Sequence, residues 1–162
     1  MGVESRAVKG TSVVGNGHSQ PRVDVGILLV DECGRVLLTL RKNPPEAECW
    51  SIVGGKVNFL ERVEDCAVRE AFEEVGINIA IGHLLCITDH LLPDEGQHWV
   101  SPAYLGRILN GEARNCEPDK TREVRWFPTD ELPDNLTMTA RNAIEAYQRR
   151  MQYPPAKSNA AH

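Results

Sequence analysis

Gly54-Gly-Lys-Val-Asn-Phe-Leu-Glu-Arg-Val-Glu-Asp-Cys-Ala-Val-Arg-Glu-Ala-Phe-Glu-Glu-Val-Gly-Ile77 is the stretch that decides the fold. A glycine pair opens it, a helical pattern fills it, and Gly76 closes it. Wound at about 100° per residue, residues 62–75 place Val68, Ala71, Phe72 and Val75 on one face. Glu70, Glu73 and Glu74 share the opposite face, at the spacing that sets helical side chains beside one another. Three like charges so placed repel and ask for a counter-charge. A hard divalent cation with oxygen ligands is the natural one. A Glu-rich helix face by itself is more often simply solvated, so the surroundings of the triplet decide its meaning.

Working outward, Gly55, Glu61, Arg69, Glu70, Glu73, Glu74 and Gly76 stand at the spacing G-x5-E-x7-R-E-U-x-E-E-x-G-U, with Ala71 and Ile77 at the apolar U positions. The pattern resembles the signature of the Nudix hydrolase family, with every defined position filled. The resemblance is specific over residues 50–77 and extends in element order from Val23 to Met151. It implies an α/β fold, the Nudix-type α/β/α sandwich with a mixed β-sheet and a loop–helix–loop catalytic box. It also implies hydrolysis of a pyrophosphate bond in a nucleoside diphosphate derivative by water, assisted by Mg2+ or Mn2+. Divalent ions neutralise phosphate charge that would otherwise repel both the nucleophile and the carboxylates.

Position by position, Glu73 and Glu74 match the main metal-binding glutamates of that family. Glu70 matches a glutamate that is a metal ligand or the general base in different members. Arg69 matches the arginine that orients its glutamate neighbours through charge-assisted hydrogen bonds. Glu61 pairs with Arg69 or assists a metal through water; for both residues a purely structural salt bridge is an equal alternative. The Gly54 carbonyl matches a backbone metal ligand, and Gly55 and Gly76 serve geometry. Val53 stands where the family often has proline, a departure that removes no ligand. A further acid outside the box is expected: Glu117 is the first choice, with Asp119, Glu123 and Glu95 as rivals. Arg41 and Lys120 are the candidate phosphate-binding cations.

The 162 residues suit one domain with a sizeable core. A formal charge of −5 argues against a broad basic surface for polymeric nucleic acid, not against a small nucleotide. The five cysteines are odd in number, widely spaced and without a Cys-x-x-Cys. A disulfide framework is therefore not expected, a reducing cytoplasm is, and most of the cysteines read as small buried apolar residues. No signal-peptide pattern or membrane-length apolar run is seen. The family resemblance, rather than any feature of the sequence, makes a homodimer the candidate assembly.

Residues 1–21 read as a tail, with Val13-Val14 as a candidate edge strand, residues 22–151 as the domain, and 152–162 as a second tail. Val23–Val30 and Arg35–Arg41 flank the Asp31–Gly34 turn and read as a β-hairpin. A short strand enters the glycine pair, which allows the chain to turn sharply. Asn58 and Glu61 suggest a capping box. Strands follow over 77–92, 98–109 and 122–127, with a kink at Gly82 and an edge or bulge at Pro102. Thr137–Met151 is a second helix with Ala140, Ile144 and Tyr147 as its apolar stripe. Trp50 reads as a core aromatic.

Substrate signals are weaker. The Glu117-Pro118-Asp119-Lys120 loop, Trp126 and the following Asp-Glu-Leu-Pro turn look like small nucleoside triphosphate pyrophosphatases, giving a nucleoside monophosphate and pyrophosphate. ADP-ribose or a nucleotide sugar is the alternative substrate. A non-catalytic nucleotide-sensing module is the alternative of another class, opposed by the intact set of box glutamates.

Overall fold

β1 (Arg22–Leu29) is buried continuously from Val25 to Leu29. A strand buried on both faces needs a packed layer on each side, and the rest of the chain supplies them. The structure, a computed structural model, describes residues 20–154. Most of the tail expected over 1–21, with its candidate edge strand, and most of the tail expected over 152–162 lie outside the described residues.

Two sheets form where one was expected. β1 lies between β4 (Val53–Lys56) and β6 (Gln97–Asn110), with β5 (Asn78–Leu92) outermost. This four-stranded sheet is mixed: β1 runs parallel to β6, while β1–β4 and β5–β6 are antiparallel. A three-stranded antiparallel sheet has β2 (Val36–Arg41) between β3 (Trp50–Ser51) and β7 (Thr121–Phe127). The expected β1–β2 hairpin is therefore overturned. Its turn forms as read: Asp31 Oδ1 accepts the N–H groups of Cys33 at 3.0 Å and Arg35 at 2.8 Å. The strands then share one isolated bridge, Val30↔Val36, and diverge. Both edges of β1 are taken by β4 and β6, and both edges of β2 by β3 and β7.

Alternate residues of β1 serve different cores, as strand geometry requires. Val25, Ile27 and Leu29 meet α1 (Val63–Val75), while Leu28 faces α2 (Met138–Gln152). One helix covers each side, giving the α/β/α sandwich. Ala140 and Ile144 of the expected α2 stripe are buried and Tyr147 packs against them. Trp50 is a core residue, edge-on to Phe127 at 4.8 Å.

Four local expectations are corrected. α1 buries Cys66, Ala67, Ala71, Val75 and Glu74, while Val68 and Phe72 face outward at 39% and 55% exposure. The apolar face is thus rotated towards the glutamates. Asn58 and Glu61 form a turn rather than a capping box: the Asn58 N–H donates to Glu61 Oε2 at 2.9 Å, but α1 starts later, with Arg62 as an N-cap that makes no side-chain bond. Pro102 lies in an interior strand. The β1–β6 pairs stop at Val23↔Val100 and resume at Gly26↔Ala103, and Pro102, which has no N–H to give, falls in the gap. Of the cysteines, all free, only Cys66 is buried and Cys33 is exposed. The kink at Gly82 appears as a register shift between Ile81 and Leu84. No described helix is long and apolar enough to cross a membrane.

The N-terminus of α2 closes one end of the splay between the sheets. Thr137 Oγ1 accepts the Ala140 N–H at 3.2 Å, satisfying one of the donors a helix start leaves free. Replacing it, Thr137→Ala, is expected to cost about 1 kcal/mol in urea denaturation while Thr137→Ser stays near wild type. Equal midpoints for Ala and Ser would refute the cap.

Candidate active site

Gly54 and Gly55 belong to β4, and neither has a positive φ. The sharp turn expected there is absent. What the pair permits is close approach. A Cβ on Gly54 would stand 2.0 Å from the Val25 carbonyl oxygen, and one on Gly55 would stand 2.3 Å from the Glu70 carboxyl carbon. Gly55 is thus the floor on which the Glu70 carboxylate rests, and Gly54 lets β4 press against β1.

α1 brings the other groups. The Arg69 guanidinium donates through Nε and Nη2 to both oxygens of Glu61, at 2.7 and 2.9 Å. Its Nη1 donates to Glu70 Oε1 at 2.7 Å and to Glu73 Oε2 at 3.0 Å. One planar fork therefore holds three carboxylates, and within the protein Arg69 is the counter-charge that the glutamate cluster demands. The Arg69 hydrogen bonds, with the Asn58 N–H, hold the Glu61 carboxyl down to about 2. The same bonds hold Arg69 more firmly protonated than usual.

Glu74 is different. It is 8% exposed and accepts the Gly54 N–H on Oε2 at 3.0 Å. Burial pushes its carboxyl up to about 7; the Gly54 N–H and the Thr39 hydroxyl pull the other way, and the charges of Glu117 and Glu70 add to the rise. Burial also raises Glu70, against the pull of Arg69 and with a push from Glu73 and Glu117.

Glu117 reaches the cluster through the backbone. The last carbonyls of α1 have no partner inside the helix. Here the Val75 carbonyl accepts the Arg114 N–H and the Glu74 carbonyl accepts the Cys116 N–H, each at 3.1 Å. Gly76, at φ +73, ends the helix so that this strapping is feasible. Asn115 then shapes the loop: its Oδ1 accepts the Glu117 N–H at 3.2 Å and its Nδ2 donates to the Thr121 carbonyl at 2.8 Å. Lys120 Nζ donates to Glu117 Oε1 at 2.9 Å, a bond that raises the Lys120 ammonium.

These groups face a cleft of about 580 Å³ between the two sheets. Glu70, Glu74, Glu117, Gly54, Gly55 and Lys120 line one end, and Arg41 lies further along. Glu61, Arg69, Glu73 and Gly76 do not line it. Glu73 is half exposed and turned to Arg69. The rival acids Asp119, Glu123 and Glu95 are also outside the lining, with Glu123 bonded to Arg125. Arg41 spends its guanidinium on the carbonyls of Pro45 at 3.1 Å and Asn43 at 3.4 Å. Sequence reasoning missed Asp24, His90, Trp99 and Asn115. Only Asp24 left a signal, as an acid inside an otherwise apolar strand. It accepts a hydrogen bond from the Ser101 hydroxyl, and burial raises its carboxyl.

Among the described residues, no three His, Cys, Asp or Glu side chains converge on one point. The donors at this end of the cleft are nevertheless all oxygen: Glu70, Glu74, Glu117 and the Gly54 carbonyl. That set has the chemistry of a hard divalent cation, and a buried carboxyl raised to about 7 is one that a cation would relieve.

A family model described as NUDIX domain matches residues 20–148. The crystal structure of a MutT NUDIX hydrolase from Burkholderia pseudomallei is similar, with a TM-score of 0.75 and 46% identity, covering 78% of this chain and 98% of that one. An ADP-ribose pyrophosphatase of Methanocaldococcus jannaschii is 29% identical over 75% of this chain and 70% of its own. An oxidized purine nucleoside triphosphate hydrolase of Danio rerio is 33% identical over 66% of this chain and 67% of its own.

The raised Glu74 makes the metal-free protein sensitive to pH. An ordinary glutamate carboxyl titrates at 4.5, and burial holds Glu74 in the folded protein at about 7, so the folded state binds the proton more tightly. Stability from this group is complete below 4.5 and is lost as the pH rises through 7. The loss is up to about 3 kcal/mol. In metal-free buffer the melting temperature is expected to fall from pH 5 to pH 8 in wild type, and less in Glu74→Gln. Parallel profiles would sink the assignment. Gly55→Ala is expected to displace the Glu70 carboxylate and lower turnover by about tenfold or more, as a misplacement of about 1 Å does. A variant with full turnover would contradict the packing of Glu70 on Gly55.

Proposed function

The chain belongs to the Nudix family of hydrolases, and from that premise we propose that it cleaves a nucleoside triphosphate to the monophosphate and pyrophosphate with the help of a divalent cation, magnesium first and manganese in its place. The observation that carries the reading is the presentation of Glu70, Glu74 and Glu117, from α1 and a separate loop, to one cleft of about 580 Å³. That volume suits a nucleotide. The Glu117–Lys120 loop and the triphosphate hydrolase name of the zebrafish relative favour a triphosphate. The name of the archaeal relative favours the second reading, ADP-ribose or a nucleotide sugar.

The cation would be held by the carboxylates of Glu70, Glu73 and Glu74 and by the Gly54 carbonyl. When bound, it supplies charge neutralisation at the phosphates and a more acidic water. Glu73 serves only by leaving Arg69. Arg69 positions Glu70 and touches no substrate. Glu70 Oε1 is held by Arg69 and Glu117 Oε1 by Lys120, which leaves the second oxygen of each as the candidate acceptor for the proton of the attacking water. Lys120 and Arg41 face the phosphates. A module that only senses nucleotides has no need of this carboxylate set.

A hydrolysis screen with magnesium over (d)NTPs, ADP-ribose, nucleotide sugars and dinucleoside polyphosphates tests the reading. A monophosphate and pyrophosphate from one triphosphate are expected. Two monophosphates from a sugar nucleotide would favour the second reading, and tight binding without turnover would favour a sensor. Glu74→Gln and Glu73→Gln are each expected to cut turnover about a hundredfold or more with the fold retained. Near-normal turnover in either would remove that residue from the ligand set.

A further inference from the structure

Four cations line the cleft: Arg22, Arg41, Lys56 and Lys120. Two of them are engaged, Arg41 by loop carbonyls and Lys120 by Glu117. Arg22 and Lys56 form no ion pair among the described residues. Instead both lie over one indole. The Arg22 guanidinium carbon is 5.1 Å from the centroid of Trp99, and Lys56 Nζ is 5.5 Å from it.

Sheet register explains the cluster. Arg22 is paired with Trp99 across the parallel β1–β6 ladder, and Asp24 with Lys56 across the antiparallel β1–β4 ladder. Arg22 and Asp24 are two apart on β1 and share a face, so Arg22, Lys56 and Trp99 are neighbours on that face. Trp99 is 7% exposed, and its Nε1–H donates to Gln97 at 2.9 Å, so the ring is fixed. The neighbouring Asp24 carboxylate accepts from Ser101 and forms no ion pair with Lys56. An aromatic platform attracts cations without using their N–H groups. Both side chains therefore keep their full set of donors, including the planar fork of Arg22, which matches phosphate oxygens. Lys56 follows Gly55 directly, next to the seat of Glu70. The cleft thus carries carboxylates at one end of β4 and unpaired cations beside them.

We propose that Arg22 and Lys56, held on Trp99, form a phosphate-binding pair that takes the extra phosphate of a triphosphate tail and so selects triphosphates over nucleotide sugars. The proposal rests on the triphosphate reading above. The carboxylate end repels phosphate unless a cation screens it, whereas this pair attracts phosphate directly. A sugar diphosphate has no group for the pair to hold. Trp99 is a positioning residue: it fixes where the two cations stand and meets no substrate itself.

Kinetics of Arg22→Gln, Lys56→Gln and the double variant, for triphosphates and for ADP-ribose, test the pair. For the best triphosphate the double variant is expected to raise KM by about tenfold or more with kcat within about twofold, the loss typical of charged hydrogen bonds. Its values for ADP-ribose should not move. Lys56→Arg should keep the triphosphate KM, and Trp99→Leu should raise it. Wild-type kcat/KM should fall more steeply with added salt than that of the double variant. Calorimetry with inorganic tripolyphosphate and magnesium supplies a readout that needs no turnover. Weaker tripolyphosphate binding by the double variant supports the pair even where no triphosphate is hydrolysed and the functional reading falls. Unchanged affinity and KM overturn the pair while triphosphate hydrolysis stands. Equal losses for triphosphate and ADP-ribose, with a lowered melting temperature, would make the cluster structural and also overturn it.

Discussion

The docking of α1 on β4 through buried carboxylates is the constraint on which the rest of the molecule depends. Helices usually meet sheets through apolar side chains. Here Glu74 takes a place in that interface, bonded to the Gly54 N–H, and Glu70 rests on Gly55 where a Cβ would not fit. Burying acids is costly unless each finds partners. The partners found are one backbone N–H, a threonine hydroxyl and the Arg69 guanidinium, and the raised carboxyl of Glu74 records how incomplete the compensation is. An interface built this way gives up packing energy to hold oxygen donors at a fixed place, a common trade at functional sites.

Around that interface the two sheets splay, and the cleft follows from the splay. β1 and β2 leave one turn in different directions because each has both edges filled. β3 and β4 separate at Ile52 because β3 pairs with β2 in one sheet and β4 with β1 in the other, so the glycine pair faces the cleft on one side and α1 on the other. The end of α1 recruits the loop that carries Glu117, because that loop's N–H groups donate to carbonyls that every helix leaves free. The catalytic candidates therefore come from a strand, a helix and a loop, yet their placement depends on one helix end and one strand edge.

The charges form a graded arrangement. Arg69, itself outside the cleft, is bonded to three carboxylates, Glu74 and Glu70 line the cleft wall, and Arg22 and Lys56 stand against an indole on the neighbouring face with no ion pair among the described residues. Fixed charges of opposite sign set side by side in a cleft orient a charged ligand before any contact is made. Low-dielectric walls make such charges act more strongly in a cleft than on an open surface.

By itself the sequence determined the box, the two helices, most strand positions and the acids to watch, including Glu117. Those features rest on local spacing: 3.6-residue periodicity, alternation, the αL glycine after Val75, and the threonine that caps α2. It misread the inward face of α1, because hydrophobicity ranks Val68 and Phe72 above Glu74, and only the contact with Gly54 reverses that order. It misread the hairpin, because edge occupancy depends on β4, β6 and β7, distant in the chain. The same holds for Arg22, Lys56 and Trp99, and for Asp24 and Ser101, which are 77 residues apart. No local pattern marks these residues, because strand register across a sheet is a relation between segments rather than a property of any one of them. Only the tertiary structure decided which cations stand unpaired in the cleft, since pairing is set by three-dimensional distance.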